Sequence, residues 1–235
     1  MLITSSQNSC YKELKKLLSD KSYFFLDNPK LIDEAVKAGH NLEFLLMTEK
    51  YAGKTDYGGQ AIVLSENLFK TFSNTISSQG LVGVLKVMKK PLSAPRGNFL
   101  VLDEVQDPGN VGTLIRSALG ADYLDIYLVN SARLGDKVIR SSMGAVFKTR
   151  IYECEKKDFI SFFQGYKNLI TADMDGENVF ECKISKPVGI ILGNEGNGVS
   201  AELRALASKT ISIPMQNGLE SLNVGVAGSI LMFNI

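Results

Sequence analysis

Three short stretches of this 235-residue sequence combine turn-forming residues with polar side chains that could bind a ligand or take part in a reaction. The first motif, residues 103–116, is DEVQDPGNVGTLIR and contains Asn110 and Arg116. An amide and a guanidinium near one strand end suit a phosphate or a ribose. Taken alone, the first motif is better explained by helix capping and a surface arginine.

The second motif, residues 193–198, is GNEGNG and directly follows an apolar run. Glycines let the backbone approach a ligand closely and adopt positive φ angles. Glu195 could accept a hydrogen bond or bind a cation. The pattern is neither GxGxxG nor GxxxxGK[ST], so it indicates neither a dinucleotide site nor a Walker phosphate site. A structural turn explains it equally well on its own.

The third motif, residues 211–224, is ISIPMQNGLESLNV. In an extended segment Ser221 and Asn223 face one side and Leu222 faces the other. Glycine and other small residues continue into the helix predicted over residues 224–233. Because glycine costs a helix about 1 kcal/mol relative to alanine, we expect close packing of this helix, either inside the fold or against a second subunit.

The composition excludes several other chemistries. His40 is the only histidine, and it follows a glycine in a predicted turn, which argues against histidine-based hydrolysis and histidine-ligated metals. The three cysteines are far apart and form no CxxC pair, so we expect a reducing compartment and no metal site.

Charge and hydropathy add little about the substrate. The net charge is +1, although all 12 basic residues of positions 1–95 are lysines and outnumber the nine acidic ones. This excess is weak evidence for a phosphate-binding face. No apolar run approaches the roughly 20 residues that span a bilayer, and the N-terminus lacks a signal peptide pattern. A cytoplasmic protein without a membrane segment is therefore expected.

The elements that must position the motifs fall into two α/β parts, separated at residues 91–98, where two prolines and a glycine interrupt the pattern. In the first part the pattern predicts strands over 23–26, 42–48, 61–64 and 80–88 and helices over 8–18, 29–38 and 65–72. In the second it predicts strands over 99–102, 126–129, 148–152, 168–172, 187–192 and 209–213, and helices over 110–119, 136–142, 157–165, 200–207 and 224–233. The apolar run 188–192 is typical of a central parallel strand, beyond whose carboxyl end ligands bind.

In order and residue type the three motifs resemble the signature motifs of the SpoU/TrmH family of RNA 2'-O-ribose methyltransferases, in the SPOUT superfamily. The resemblance rests on DPGNVGTLIR, on GNEGNG, and on ISIPM followed by SLNVGVAGS. The first part resembles that family's N-terminal substrate-binding domain, which is related to ribosomal proteins that bind kinked RNA. Its matching segments are ITSSQN, a helix ending in KKL, and QGLVGVL.

The resemblance implies a parallel-sheet α/β domain with a deep trefoil knot at residues 98–235 and a smaller α/β RNA-binding domain at residues 1–92. It implies a homodimer that transfers a methyl group from S-adenosylmethionine to a ribose 2'-hydroxyl without a metal. Ribosomal RNA, most specifically 23S rRNA, is the expected substrate. A tRNA methyltransferase and a non-catalytic RNA-binding or ribosome-assembly factor stay open as alternatives. A dinucleotide-dependent oxidoreductase would need a glycine fingerprint that the sequence lacks.

Residue by residue, Arg116 matches the family's catalytic arginine, and the other polar motif positions are matched by Asn110, Glu195, Ser221 and Asn223. A guanidinium rarely loses its proton, so stabilisation of a developing alkoxide or relay through a phosphate is favoured over a role as base. The resemblance implies that the cofactor is held by Leu192, Gly193, Asn194, Gly196, Ile213, Met215, Ser221 and Leu222.

Three departures from the family pattern carry expectations of their own. Relatives usually have two more residues before Gly120, so the helix after Arg116 is expected to end early. A basic, glycine-containing segment common before the strand at residue 23 is missing, which predicts weaker RNA binding. The sequence ends at Ile235, which predicts a short last helix and a reduced dimer interface.

Overall fold

A computed structural model describes residues 2–73 and 79–235. The chain divides into two compact units, Met1–Met88 and Lys89–Ile235. Residues 74–78, which belong to the predicted N-terminal domain, lie outside the described residues. Among the residues that are described, no helix has both the length and the apolar character needed to cross a bilayer.

The first unit contains a mixed sheet. Its elements are β1 (Leu2–Ile3), α1 (Ser9–Leu17), β2 (Tyr23–Leu26), α2 (Pro29–Lys37), β3 (Phe44–Met47), a 3-10 helix (Glu49–Tyr51), β4 (Gln60–Leu64), α3 (Glu66–Phe69) and β5 (Leu81–Lys86). Within its described residues the sheet has five strands in the order β1-β4-β3-β5-β2. The pairs β1–β4 and β4–β3 are parallel, whereas β5 is antiparallel to β3 and β2.

Local signals set the start and end of α2, as the sequence predicts. The side chain of Asn28 accepts a hydrogen bond from the backbone N–H of Lys30, and Pro29 occupies the first turn. Gly39 follows the helix with φ +84°, a conformation that favours glycine at a helix end.

The second unit contains a parallel sheet. Its elements are β6 (Phe99–Asp103), α4 (Pro108–Gly120), β7 (Asp125–Val129), α5 (Asp136–Ser141), a 3-10 helix (Ala145–Phe147), β8 (Arg150–Cys154), α6 (Lys156–Phe163), β9 (Leu169–Asn178), β10 (Gly189–Leu192), α7 (Ala201–Arg204), β11 (Lys209–Ser212) and α8 (Val224–Asn234). Over residues 89–235, all of them described, the sheet has six strands in the order β11-β9-β10-β6-β7-β8, and every neighbouring pair is parallel.

The two central strands confirm that the apolar run before the second motif is a buried parallel strand. β10 lies between β9 and β6, and all residues of β6 and β10 are buried. On one face Leu100 and Leu102 pack with α4 and α8, and on the other Phe99 and Val101 pack with α6 and α7. Helix layers on both faces leave the carboxyl ends of the strands as the accessible edge.

Several boundaries differ from the sequence prediction. β1 was missed because two residues are too few to show a strand period. β9 extends to Asn178, six residues beyond the predicted end, because its continuation pairs with β11 after a register shift. Of the segment predicted as an interdomain linker, Leu92 packs in the second unit's core, and the Arg96 backbone N–H donates to Asp125 at 2.8 Å. These residues are therefore part of the second unit.

Candidate active site

The second motif leaves β10 as a closed loop. The backbones of Asn194 and Gly198 exchange two hydrogen bonds, of 3.0 and 2.9 Å. The Asn194 side-chain oxygen accepts from the backbone N–H groups of Gly196 and Asn197 at 2.9 and 3.2 Å. A Cβ at Gly193 would lie 2.0 Å from the carbonyl carbon of Gly198, and Gly198 has φ +67°. Glycine is therefore required at both ends of the loop.

The first motif enters α4 earlier than the sequence predicts. The helix begins at Pro108, not at Asn110, because Asp107 is the N-cap and its carboxylate accepts the Asn110 backbone N–H at 2.9 Å. That hydrogen bond is the main cause of the lowered pKa of Asp107. Asn110 lies in the first turn, where its side chain is free of capping and can reach across the site. At its other end α4 includes Gly120, one residue beyond the predicted end at residue 119.

The third motif ends in the N-cap of α8. The side-chain oxygen of Asn223 accepts from the backbone N–H groups of Gly225 and Val226 at 2.9 and 3.4 Å. Its amide nitrogen remains available for a second partner. Ser221 and Asn223 are exposed and Leu222 is half-buried, which is the alternation expected of an extended segment.

The side chain of Asn110 joins all three motifs. Its amide nitrogen donates to Glu195 Oε1 at 2.9 Å, and its carbonyl oxygen accepts from Asn223 Nδ2 at 3.0 Å. These partners are 85 and 113 positions away in the sequence. One amide thus links the first motif to the second and the third at the carboxyl edge of the sheet.

Arg116 and Ser221 are not part of this bonded set. Arg116 lies nearly two turns beyond Asn110 on α4 and is exposed. Within the described chain, neither its guanidinium nor the Ser221 hydroxyl has a hydrogen bond or an ion pair. The next residue, Ser117, shares a 2.7 Å hydrogen bond with Ser229 of α8, which fixes α4 against α8. The side chains of Arg116 and Ser221 are therefore available to a ligand.

The candidate cofactor residues offer an apolar surface beside unpaired backbone. Leu192 is buried, and Ile213 and Val224 pack against the same core cluster. Met215 is half-buried. Between Ser212 and Asn223 the described structure has a single backbone–backbone hydrogen bond, from the N–H of Leu219 to the carbonyl of Gln216 at 3.2 Å. Apolar side chains beside free amides and carbonyls fit a ligand with a flat ring and polar edges, such as adenine.

Two residues at the carboxyl end of β6, Asp103 and Glu104, support the second motif and were not among the predicted site residues. The Asn194 amide donates to the carbonyl of Glu104 at 3.0 Å, and the carboxylate of Asp103 accepts the Ser200 backbone N–H at 2.8 Å. The available signal was a carboxylate at the end of the otherwise apolar strand FLVLD.

Metal-binding residues do not gather at this edge. Over the ranges that the structure describes, no three His, Cys, Asp or Glu side chains lie together as metal ligands would.

Cys154 is half-buried, and burial raises the pKa of its thiol to about 11, so the thiol is mostly protonated near neutral pH.

A parallel α/β sheet with three convergent polar loops at its carboxyl edge defines a ligand-binding domain, and the comparisons identify its class. The model of the SpoU rRNA Methylase family matches residues 97–233. The 23S rRNA (guanosine(2553)-2'-O)-methyltransferase RlmP of Bacillus subtilis is 30% identical over 99% of this chain and 98% of the relative. The chain therefore belongs to the SpoU rRNA methylase family.

Solved structures agree over the full length. The crystal structure of an rRNA methyltransferase from Sinorhizobium meliloti matches with a TM-score of 0.86 and 28% identity, covering 100% of this chain and 96% of that one. A crystal structure from the same organism with bound AdoMet matches with a TM-score of 0.85 and 27% identity over the same shares. The α/β fold with a parallel sheet is thus the one expected from the sequence.

Proposed function

We propose that this chain transfers a methyl group from S-adenosylmethionine to a ribose 2'-hydroxyl of ribosomal RNA, with 23S rRNA as the substrate class. Family membership, the activity of the Bacillus subtilis relative and the AdoMet-bound relative support the proposal. In the chain itself, one observation carries it. Asn110 bridges Glu195 and Asn223 and so assembles the three motifs.

S-adenosylmethionine, when bound, supplies a methyl group that its sulfonium makes electrophilic. The chain's task is then to hold two reactants in line and to exclude water. Residues of the second and third motifs, together with the end of β10, are proposed to hold the cofactor. They are Leu192, Gly193, Asn194, Gly196, Ile213, Met215, Ser221 and Leu222.

Held by these residues, the cofactor would supply its methyl group to the ribose 2'-oxygen, and the 2'-hydroxyl proton would pass to a neighbouring phosphate of the RNA. Arg116, exposed and unpaired, is proposed to stabilise the negative charge that develops on that oxygen. The hydrogen bonds of Asn110 with Glu195 and Asn223 fix the positions of the three motifs relative to one another. The Ser221 hydroxyl is available to bind the ribose.

The second unit, which contains the domain predicted at residues 98–235, is proposed to form the cofactor domain with a deep trefoil knot. The first unit, which makes up most of the domain predicted at residues 1–92, is proposed to select the RNA. The family resemblance supports both roles, and the lysines of the first part supply positive charge. A homodimer in the cytoplasm is proposed as well. The outer side of α8 supports the dimer, because Val226 and Phe233 are 49% and 65% exposed there.

Transfer of a labelled methyl group to unmodified 23S rRNA and to unmodified tRNA tests the proposal. We expect the label on a ribose of 23S rRNA. If only tRNA is labelled, the substrate class is tRNA and not ribosomal RNA. Calorimetry with S-adenosylmethionine tests the non-catalytic alternative. A chain that does not bind the cofactor and does not transfer label would be an RNA-binding factor and not an enzyme.

A further inference from the structure

A buried carboxylate stands at the carboxyl end of the central strand β6. Asp103 is fully buried, and its Oδ2 accepts the backbone N–H of Ser200 at 2.8 Å. Ser200 lies two residues after the second motif, so this bond holds the motif's C-terminal end. A buried carboxylate is costly unless it is paired and hydrogen-bonded. Its place here therefore calls for a compensating charge.

Lys156 supplies that charge from the start of α6. Its ammonium lies 3.7 Å from Asp103 Oδ1 and 2.8 Å from Glu104 Oε1. Within the described chain Asp103 Oδ1 has no hydrogen bond, so Lys156 is its neutralising partner. Burial by itself would lower the pKa of Lys156. The hydrogen bond to Glu104 and the charges of Asp103, Glu104 and Glu202 raise it overall, so the side chain stays charged.

The same corner holds the other end of the second motif. Glu104 has φ +57°, a left-handed conformation that is costly for a residue other than glycine. In this conformation its carbonyl accepts the side-chain amide of Asn194 at 3.0 Å. The oxygen of the same Asn194 side chain binds the N–H groups of Gly196 and Asn197.

We propose that Asp103, neutralised by Lys156, is a positioning residue that preorganises the second motif for cofactor binding. Asp103 acts through Ser200 and, across the adjacent bend at Glu104, through Asn194. The proposal rests on the proposed function, because it assumes that the second motif holds S-adenosylmethionine. Neither Asp103 nor Lys156 needs to touch the cofactor.

The test compares S-adenosylmethionine binding by calorimetry in the whole protein and two variants. Lys156→Met leaves the buried carboxylate of Asp103 without its cation, and we expect the Kd to rise about tenfold, equivalent to roughly 1.4 kcal/mol. The double variant Asp103→Asn/Lys156→Met removes the charge together with its partner and keeps an oxygen for the Ser200 N–H. Its Kd should return to within about threefold of the wild type.

The matched control is a buried pair at the opposite edge of the same sheet. Asp125, the first residue of β7, is fully buried and bonded to the Arg150 guanidinium at 2.6 and 2.7 Å. Arg150→Met likewise leaves a buried carboxylate, that of Asp125, without its cation, but away from the second motif. We expect it to lower the melting temperature but to leave the Kd for S-adenosylmethionine within about twofold of the wild type. An equal loss of affinity in both variants would reduce the role of Asp103 to general stability and overturn the proposal.

Hydrogen exchange of the cofactor-free protein gives an independent readout. Amides of residues 194–200 should exchange about tenfold faster in Lys156→Met and be unchanged in Arg150→Met. If Lys156→Met does not fold, Glu104→Gln removes the 2.8 Å ion pair that holds Lys156 beside Asp103 but leaves Asp103 its cation. It should shift affinity and exchange in the same direction by a smaller amount. If the folded variant binds S-adenosylmethionine and exchanges its amides as the wild type does, the role of Asp103 and Lys156 is overturned, but the proposed function is not. A wild type that binds no S-adenosylmethionine would overturn the proposed function, while the exchange data would still report on the loop.

Discussion

Asn110 satisfies two neighbours of opposite hydrogen-bonding type with one side chain. Its nitrogen must face Glu195 and its oxygen must face Asn223, because each partner offers only the complementary group there. Aspartate and leucine, which have nearly the same shape, lack the donor or both groups. The sequence motif therefore contains an asparagine for a geometric reason that its local spacing does not reveal.

Replacing Asn110 by aspartate should disrupt the site more than removing the charge of Glu195. Asn110→Asp places a carboxylate oxygen against Glu195 Oε1, and we expect kcat/KM to fall about 30-fold, equivalent to roughly 2 kcal/mol. Glu195→Gln can still accept from Asn110 and should lose less than about fivefold. Methyl-transfer kinetics measure both variants, with circular dichroism as the check on folding.

The combined variant provides the control for this contact. In Asn110→Asp/Glu195→Gln the new amide at position 195 can donate to the new carboxylate at position 110, so the bond is restored with its direction reversed. Activity should recover most of what Asn110→Asp loses. A double variant no better than Asn110→Asp would show that the contact does not govern the reaction.

Arg116 should matter for the transfer step and little for cofactor binding. Arg116→Ala removes a charge proposed to stabilise the developing alkoxide, and kcat should fall by about 10²–10³. The Kd for S-adenosylmethionine should stay within about twofold, because Arg116 lies outside the second and third motifs. Arg116→Lys is the conservative control and should retain part of the rate. A large loss of cofactor affinity in Arg116→Ala would assign the guanidinium to the cofactor instead.

At the scale of elements, α8 connects the third motif to the first by close packing. Gly228 faces β10 and α4, where an added Cβ would lie 2.3 Å from Leu192 and 2.4 Å from Leu114. At Gly228 the close packing expected of this helix is thus found within the second unit. Because Asn223 caps the same helix, any displacement of α8 also moves the partner of Asn110.

Gly228→Ala should therefore weaken both the fold and the site. Alanine favours the helix by about 1 kcal/mol, but overpacking against Leu192 and Leu114 should exceed this gain and lower the free energy of unfolding by about 1–3 kcal/mol. Urea unfolding measures the change, and calorimetry should show weaker cofactor binding. Gly97→Ala is the control, because nothing lies within 4 Å of the added Cβ. A neutral Gly228→Ala would mean that α8 can shift without cost.

Sequence patterns revealed the elements better than the contacts between them. The apolar run before the second motif indicated a central parallel strand, and Asn28 and Pro29 marked the start of α2, because these signals are local. The helix predicted from residue 110 begins two residues earlier, because Asp-Pro-Gly at 107–109 is also typical of a turn, whereas Asp107 is the N-cap of α4. The approach of Lys156 to Asp103 depends on strand order, so no local pattern contains it.

The whole molecule is proposed to be a dimer through α8, and its mass tests this. Val226 and Phe233 are seven residues apart and therefore share one side of the helix, opposite the buried Gly228 and Leu231. Both are exposed in the single chain, so Val226→Glu/Phe233→Glu should leave the fold intact while placing two like charges in an isologous interface. Light scattering should give twice the chain mass for the wild type and the single mass for this variant.

Phe162→Glu, at a 44% exposed phenylalanine of α6 in the opposite helix layer, should remain dimeric. A wild type that is monomeric at micromolar concentration would remove the proposed dimer, whereas a monomeric Phe162→Glu would move the interface to α6.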